Sequence, residues 1–322
     1  MRPKILISDS EVCIGQHILD QIETRADITR ASSLDQHALA EEISDKDVAI
    51  FSSFSRMTRR VLEAGSKLRA VIKYGVGVDN VDFEAAAERG VVVINCPDYG
   101  SRTVAEHAFC LMISLAKRLV PVVDDLRDKG WIHTAPEYQG MDLGGKTLGL
   151  YGFGRIGKEM AQIASGFGMR RIAYNPNPDH EAAKLLGVEL VSRDEILAVS
   201  DFLSLHCVHT PETRHTVNER FFSEMKSGAY LVNVSRGELV VDEDLVAALD
   251  SGHLAGAALD VYNEEPLPSD HPFRGRRDVI LTPHFAWYTK DAQDRIDQQI
   301  LERVTEVLDG ESPKNQRTSA LS

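Results

Sequence analysis

No stretch of this 322-residue chain approaches the ~18 consecutive apolar residues of a membrane-spanning helix. The opening residues Met1-Arg2-Pro3-Lys4-Ile5-Leu6-Ile7-Ser8-Asp9 hold too short an apolar run for a signal peptide. Cysteine is scarce. The four present, Cys13, Cys96, Cys110 and Cys207, form no CxxC pair and no metal-type spacing. That speaks against a disulfide framework or a zinc ribbon and fits free thiols in a reducing compartment. A cytoplasmic protein is the expectation. Positive charge is also in deficit: 36 Lys and Arg face 49 Asp and Glu, for a net charge of −13. This argues against a nucleic-acid or anionic-membrane partner. Short-period repeats and low-complexity tracts are absent.

What is present is ordinary for a globular protein, with 43% hydrophobic and 26% charged residues. The length suggests two domains of roughly 100–200 residues each. Short apolar runs alternate with helix-like segments, the pattern of parallel sheets covered by helices. In the first part, strands are expected at Lys4–Ser8, Asp47–Ser52, Ala70–Lys73 and Val91–Ile94, with a helix at Phe83–Arg89. Pro97 and Gly100 punctuate the end of this unit, and a long helix starts near Ser101, its expected cap. From Lys146 onward, strands are expected at Thr147–Tyr151, Arg171–Tyr174, Phe202–Leu205, Tyr230–Asn233, Ala255–Leu259 and Val279–Leu281. A last helix, about Asp291 to Leu308, repeats apolar residues at helical spacing, and the polar tail from Gly310 is expected to be mobile.

The most informative feature is the turn Tyr151-Gly152-Phe153-Gly154-Arg155-Ile156-Gly157. It follows a strand-like run and precedes a helix-like one, the context that a dinucleotide turn requires. Gly152 would permit the tight turn, Gly154 the close approach of a pyrophosphate, and Gly157 the packing of helix on sheet. The helix N-terminus would then offer N–H groups and partial positive charge to the phosphates. The next strand should end in an acidic residue that grips the adenosine ribose, but Asn175 stands there. An amide still bonds a hydroxyl and does not repel a 2′-phosphate. No arginine follows at once to hold such a phosphate, so NAD is favoured with NADP tolerated.

Three polar residues stand out downstream. Arg236 and His284 follow apolar strands, where open α/β sheets place their ligands, and Glu265 lies in the loop Asp260-Val261-Tyr262-Asn263-Glu264-Glu265-Pro266. Arginine's planar fork suits a carboxylate, histidine suits proton transfer near neutral pH, and a neighbouring carboxylate favours the imidazolium. Taken singly, each has a bland reading as a solvated or capping residue. His206 and His209 flank Cys207, but no third ligand follows from spacing, so no zinc site is expected.

These motifs resemble the D-isomer-specific 2-hydroxyacid dehydrogenases over nearly the whole chain. The resemblance rests on Tyr74-Gly75-Val76-Gly77-Val78-Asp79-Asn80-Val81-Asp82, Thr103-Val104-Ala105-Glu106-His107, the glycine turn, Asn233-Val234-Ser235-Arg236-Gly237, the Asp260–Pro266 loop and Thr282-Pro283-His284. It implies two Rossmann-like or flavodoxin-like α/β domains with parallel sheets. The cofactor domain (100–288) would be inserted into a discontinuous substrate domain (1–99 and 289–322), with the active site in the cleft and closure on binding. It further implies that Arg236 clamps the carboxylate of a small 2-oxo or 2-hydroxy acid, that His284 moves the proton, and that Glu265 holds His284 protonated. Backbone around Val76 and Gly77 would also bind the carboxylate. Arg155 and Ile156 would meet the pyrophosphate and Asn175 the ribose. Cys207, Val234, Asp260, Val76 and Thr103 would contact the rest of the cofactor, Asp260 near the carboxamide. A homodimer is implied, and no metal.

Two departures matter. Trp287-Tyr288 replace the small residues many members carry after the histidine, and Ala286-Trp287-Tyr288 resembles the C-terminal-binding-protein branch, whose animal members are NAD-sensing corepressors. Trp287 would fill part of the substrate pocket. An NAD-sensing scaffold with little turnover is therefore the alternative to an enzyme, and an NADP-preferring glyoxylate or hydroxypyruvate reductase a third reading. The chain also stops before any appended regulatory domain of the kind many phosphoglycerate dehydrogenases carry, which weighs against serine synthesis.

Overall fold

The computed structural model describes residues 2–319. The chain forms two compact units, one made of the residues up to Gly100 together with those from Tyr288 onward, the other of Ser101–Trp287. In chain order the first unit supplies β1 (Lys4–Ile7), α1 (Gln16–Glu23), β2 (Asp27–Arg30), α2 (Gln36–Ile43), β3 (Val48–Phe51), α3 (Arg59–Ala64), β4 (Ala70–Lys73), α4 (Phe83–Arg89) and β5 (Val92–Ile94). The second supplies α5 (Ser101–Ala116), α6 (Leu119–Lys129), β6 (Thr147–Tyr151), α7 (Arg155–Ser165), β7 (Arg170–Tyr174), α8 (His180–Leu186), β8 (Glu189–Leu190), α9 (Arg193–Val199), β9 (Phe202–Leu205), α10 (Glu219–Glu224), β10 (Ala229–Asn233), α11 (Asp242–Asp250), β11 (Leu254–Leu259) and β12 (Val279–Leu281). The chain then returns to the first unit with α12 (Lys290–Asp309) and β13 (Gln316–Arg317).

The first sheet runs β13-β5-β4-β3-β1-β2, parallel except for β13. Its parallel strands follow the flavodoxin-like order 2-1-3-4-5. The second runs β12-β11-β10-β9-β6-β7-β8, parallel throughout. Counted within its own unit this is 3-2-1-4-5-6 with one strand added, the dinucleotide-binding order. Its direction of construction reverses between β6 and β9, and ligands of such sheets bind outside the carboxyl ends of the strands there. The α/β class with parallel sheets is thus borne out.

Local chemistry accounts for the elements. Ile5, Leu6 and Ile7, like all of β3 and β4, are buried, as strands covered on both faces require. Each such aliphatic side chain contributes about 1.5–3 kcal/mol by leaving water. In α12 the Thr289 side chain accepts from Ala292 N–H, Gly310 closes the helix in the left-handed conformation, and Ile296, Ile300, Val304 and Val307 form the buried stripe.

The structure differs from the sequence reading in four places. Ser101 is the first helical residue of α5 rather than a cap before it. β2 (Asp-Ile-Thr-Arg) and the two-residue β8 are edge strands, largely solvent-facing, so neither carries the apolar run that marks a strand in sequence. The polar tail does not run free: Gln316 and Arg317 pair antiparallel with Ile94 and Val93. The backbone supplies that pairing, so side-chain hydropathy does not announce it. The buried face of α12 also includes Asp297 and Arg303.

Candidate active site

The glycine turn leaves β6 at the switch point of the second sheet. Gly152 adopts φ +104°, and a Cβ there would sit 2.5 Å from Cys207 N and His206 C in the segment that leaves β9. Only glycine meets both demands. A Cβ at Gly157 would lie 2.5 Å from the Gly152 carbonyl, so its absence lets α7 rest on the turn. At Gly154, the residue before α7, a Cβ would meet nothing within 4 Å and no side chain caps the helix. Open space therefore stands before a helix N-terminus whose first residues are Arg155 and Ile156, which suits a pyrophosphate. The residues present fit a dinucleotide.

Asn175 stands directly beyond β7. Its Oδ1 accepts the Phe153 N–H at 3.3 Å, and its Nδ2 donates to Asn177 O at 2.6 Å. The side chain thus braces the glycine turn, leaving one N–H for a ribose hydroxyl. Cys207 is partly buried, and loss of water around it pushes its thiol up to about 11, so it stays protonated near neutral pH. His206 Nε2 faces Ser204 Oγ at 2.9 Å, and burial lowers its imidazole to about 4. Val234 is buried just after β10, and Thr103 is buried in the first turn of α5. Among the described residues, no group of three or more His, Cys, Asp or Glu side chains is placed to hold a metal ion.

Arg236 lies on the turn after β10. That turn is folded by Asn233, itself buried, whose Oδ1 accepts Ser235 N–H at 3.0 Å and whose Nδ2 donates to Arg236 O at 2.9 Å. Any Cβ on the next residue, Gly237, would overlap the backbone of Tyr262 and Asn263. This close approach seats the Arg236 turn on the loop that carries Glu265. Glu265 Oε1 accepts the Tyr262 N–H at 3.0 Å, and its Oε2 lies 2.7 Å from His284 Nδ1. Burial works to raise the Glu265 pKa. The hydrogen bond and charge of His284, the Tyr262 amide and the charge of Arg236 outweigh it and hold the carboxyl below its ordinary value. An ionised Glu265 fixes a proton on His284 Nδ1 and leaves Nε2 as the exchanging nitrogen.

His284 itself is held by backbone. It occupies the left-handed region at φ +60°, and its N–H donates to Asp260 O at 2.8 Å. The Asp260 carboxylate is buried and accepts from Thr282 Oγ1 at 2.5 Å and from the N–H groups of Phe285 and Ala286, both at 2.9 Å. His107 Nε2 lies 3.1 Å from Thr282 Oγ1. Tyr262 Oη reaches the carbonyls of both Leu259 and Thr282, at 3.0 and 2.9 Å, clasping the ends of β11 and β12. Asp260, expected as a cofactor contact, is thus engaged chiefly in shaping the histidine loop. Trp287, half-buried, ends this unit.

The Val76–Gly77 segment belongs to the first unit. Gly75 O accepts the Cys96 N–H at 2.9 Å, and Val76 O accepts Asn95 Nδ2 at 2.7 Å. In a trans peptide the N–H opposes the carbonyl, so the N–H groups of Val76 and Gly77 are turned away from those donors. Two successive N–H groups of this kind suit an anion.

Residues 109–286 match the model of the D-isomer specific 2-hydroxyacid dehydrogenase NAD binding domain. The chain belongs to the D-isomer specific 2-hydroxyacid dehydrogenase family. A D-3-phosphoglycerate dehydrogenase of Methanocaldococcus jannaschii is 38% identical over 313 residues, covering 97% of this chain and 59% of that protein. The chain spans about half the length of the curated relatives it matches. The crystal structure of TT0316 protein from Thermus thermophilus superposes with a TM-score of 0.89 at 34% identity, over 97% of this chain and 99% of that one. D-lactate dehydrogenase from Aquifex aeolicus, complexed with NAD and lactic acid, does so with a TM-score of 0.85 at 27% identity, over 95% and 96%. These matches do not favour the branch suggested by Ala286-Trp287-Tyr288.

In this family member, sequence reading passed over the residues that brace the site. Asn233, Tyr262, Thr282 and His107 carry no obvious reactive role. A signal did exist for Asn233, an amide closing a fully buried strand.

Proposed function

We propose that this chain interconverts a 2-oxo acid and a D-2-hydroxy acid with NAD(H), consuming one proton per oxo acid reduced. The observation that carries this reading is the 2.7 Å His284–Glu265 pair, beside the seat of Arg236, in a family member with an intact glycine turn. When bound, the nicotinamide supplies or takes the hydride. Arg236 holds the substrate carboxylate by its planar fork and polarises the 2-oxo group, and His284 Nε2 gives the proton to the developing alkoxide and takes it back in oxidation. Glu265 keeps His284 oriented through the bond to Nδ1. The N–H groups of Val76 and Gly77 take the same carboxylate, and Trp287 limits the substrate side chain.

In this reading residues 100–288 form the cofactor domain, and the remainder (1–99 and 289–322) the substrate domain. Gly152, Gly154, Arg155, Ile156 and Gly157 cradle the pyrophosphate, with Asn175 toward the ribose and Val76, Thr103, Cys207, Val234 and Asp260 along the rest of the cofactor. NAD is preferred because no arginine adjoins Asn175, while the missing carboxylate leaves NADP tolerated. The free thiols of Cys13, Cys96, Cys110 and Cys207 support a reducing, cytoplasmic setting, and the family resemblance supports a homodimer. The test is NADH and NADPH oxidation by purified protein with glyoxylate, hydroxypyruvate, pyruvate, phenylpyruvate and longer 2-oxo acids. Turnover on one of them, faster with NADH, is expected. Tight NADH binding with no turnover on any would overturn the reading.

A further inference from the structure

The loop that presents the Val76 and Gly77 N–H groups is held on two sides. On one, Cys96 N–H and Asn95 Nδ2 grip the carbonyls of Gly75 and Val76. On the other stands Tyr74, the first residue beyond β4. Its N–H donates to Phe51 O at 2.8 Å, and its ring is buried, 5% exposed. Its hydroxyl donates to Asp297 Oδ1 at 2.8 Å. Asp297 lies on the buried face of α12 at 1% exposure, and its Oδ2 accepts the Gly15 N–H at 2.7 Å. A Cβ at Gly15 would come to 3.0 Å from that oxygen.

This pair is unusual as packing. Burying a carboxylate is costly, and here a phenol and an amide meet it. Burial accordingly raises the Asp297 pKa. A phenylalanine at position 74 and an apolar residue at position 297 would fill the same space without that cost. What the polar pair adds is direction. The hydroxyl fixes where the Tyr74 ring ends, so it fixes the backbone from which Gly75, at φ +151°, swings into Val76. A hydrogen bond tolerates only a few tenths of an ångström, whereas apolar packing lets a ring slide.

We propose that Tyr74 and Asp297 are positioning residues for the substrate carboxylate, their hydrogen bond holding the Val76–Gly77 N–H pair at its working angle. This rests on the reading of that N–H pair as a carboxylate site. The pair touches no reacting atom, so its loss acts on substrate affinity.

The test is steady-state kinetics of the whole protein with NADH and whichever 2-oxo acid the wild type reduces best. Tyr74→Phe removes one oxygen and keeps the ring. It is expected to raise KM for the oxo acid on the order of tenfold, the weight of one hydrogen bond to a charged group. The kcat and the KM for NADH should stay within about twofold, since the proton donor and the glycine turn are untouched. Asp297→Ala also deletes the acceptor of the Gly15 N–H, so its loss should be at least as large, and the double variant should be no worse than Asp297→Ala alone, because the Tyr74–Asp297 bond can be lost only once. Asp297→Asn can accept the Gly15 N–H with Oδ1 and donate from Nδ2 to the Tyr74 hydroxyl oxygen, so it should restore much of the affinity lost in Asp297→Ala. An unchanged oxo-acid KM in Tyr74→Phe, or a parallel loss in both KM values and kcat, would overturn the proposal while leaving the enzyme reading intact. Absence of wild-type turnover on every oxo acid would overturn both.

Discussion

Two regions of the second unit are built on opposite principles. The glycine turn works by what it omits. At Gly152 and Gly157 a side chain would strike backbone, and at Gly154 the space is empty. The Arg236–Glu265–His284 cluster works by what it adds, as polar groups from three segments, 233–236, 260–265 and 282–286, hold one another in place. Asp260 grips the loop after β12, Tyr262 clasps two strand ends, and Asn233 folds the arginine turn. The difference teaches where each fails. The turn is contiguous and should fail locally, through the cofactor. The cluster joins residues far apart in sequence and should fail through geometry at a single nitrogen.

The largest expected effect comes from the cluster. His284→Ala removes the side chain proposed to donate the proton and should lower kcat about 10²- to 10⁴-fold, the usual weight of general acid catalysis. NADH affinity should be unchanged, because the glycine turn needs nothing from His284. Arg236→Ala should differ by also raising KM. Stopped-flow NADH fluorescence beside steady-state rates separates the two, and equal losses of NADH affinity and turnover in His284→Ala would break the division drawn here.

The turn gives the next effect, and two of its glycines sharpen the contrast. Gly152→Ala forces φ +104° on alanine and a Cβ to within 2.5 Å of Cys207 N, so it should destabilise the unit by about 1–3 kcal/mol as well as weaken NADH binding. Gly154→Ala meets nothing in the protein and has an ordinary φ of −80°. It should melt like the wild type and yet bind NADH less tightly. Calorimetry with a cofactor titration reads both. Wild-type affinity in Gly154→Ala would show that the open space is not where the pyrophosphate lies.

The same contrast explains what the sequence revealed. The glycine turn was legible because its function is local: three glycines in seven residues, between a strand and a helix. Arg236, Glu265 and His284 were legible as polar residues after apolar strands, an order that fixes the edge of the sheet they reach. Asp260 was noticed as a cofactor contact, but sequence cannot show that its carboxylate turns back onto residues 282–286. Tyr262 looked like an ordinary loop residue and Asn233 like the end of a strand, because their bonds go to carbonyls and amides, which every residue has. Edge strands β2 and β13 escaped for the same cause: backbone pairing leaves no mark in hydropathy.

The smallest effect probes how the cluster is charged. Glu265→Gln keeps the shape of the acid and removes its charge, so it isolates the electrostatic part of the bond to His284. Glu265 is held below its ordinary pKa in the folded protein, so the folded state binds its proton less readily than the unfolded chain. Its stabilising contribution is therefore complete above the unfolded value of about 4.3 and is lost as pH falls through the lower folded value. The wild type should melt a few degrees above the variant at neutral pH, since each kcal/mol is about 2–4 °C in a unit of this size. The gap should narrow as the buffer is taken below pH ~4.3, because the wild type then surrenders the charge that the glutamine never had. Melting curves of both proteins from pH 7 to pH 3.5 check this. A gap that stays constant to the acid end would mean that the pair is held by shape alone, as the backbone of the glycine turn is.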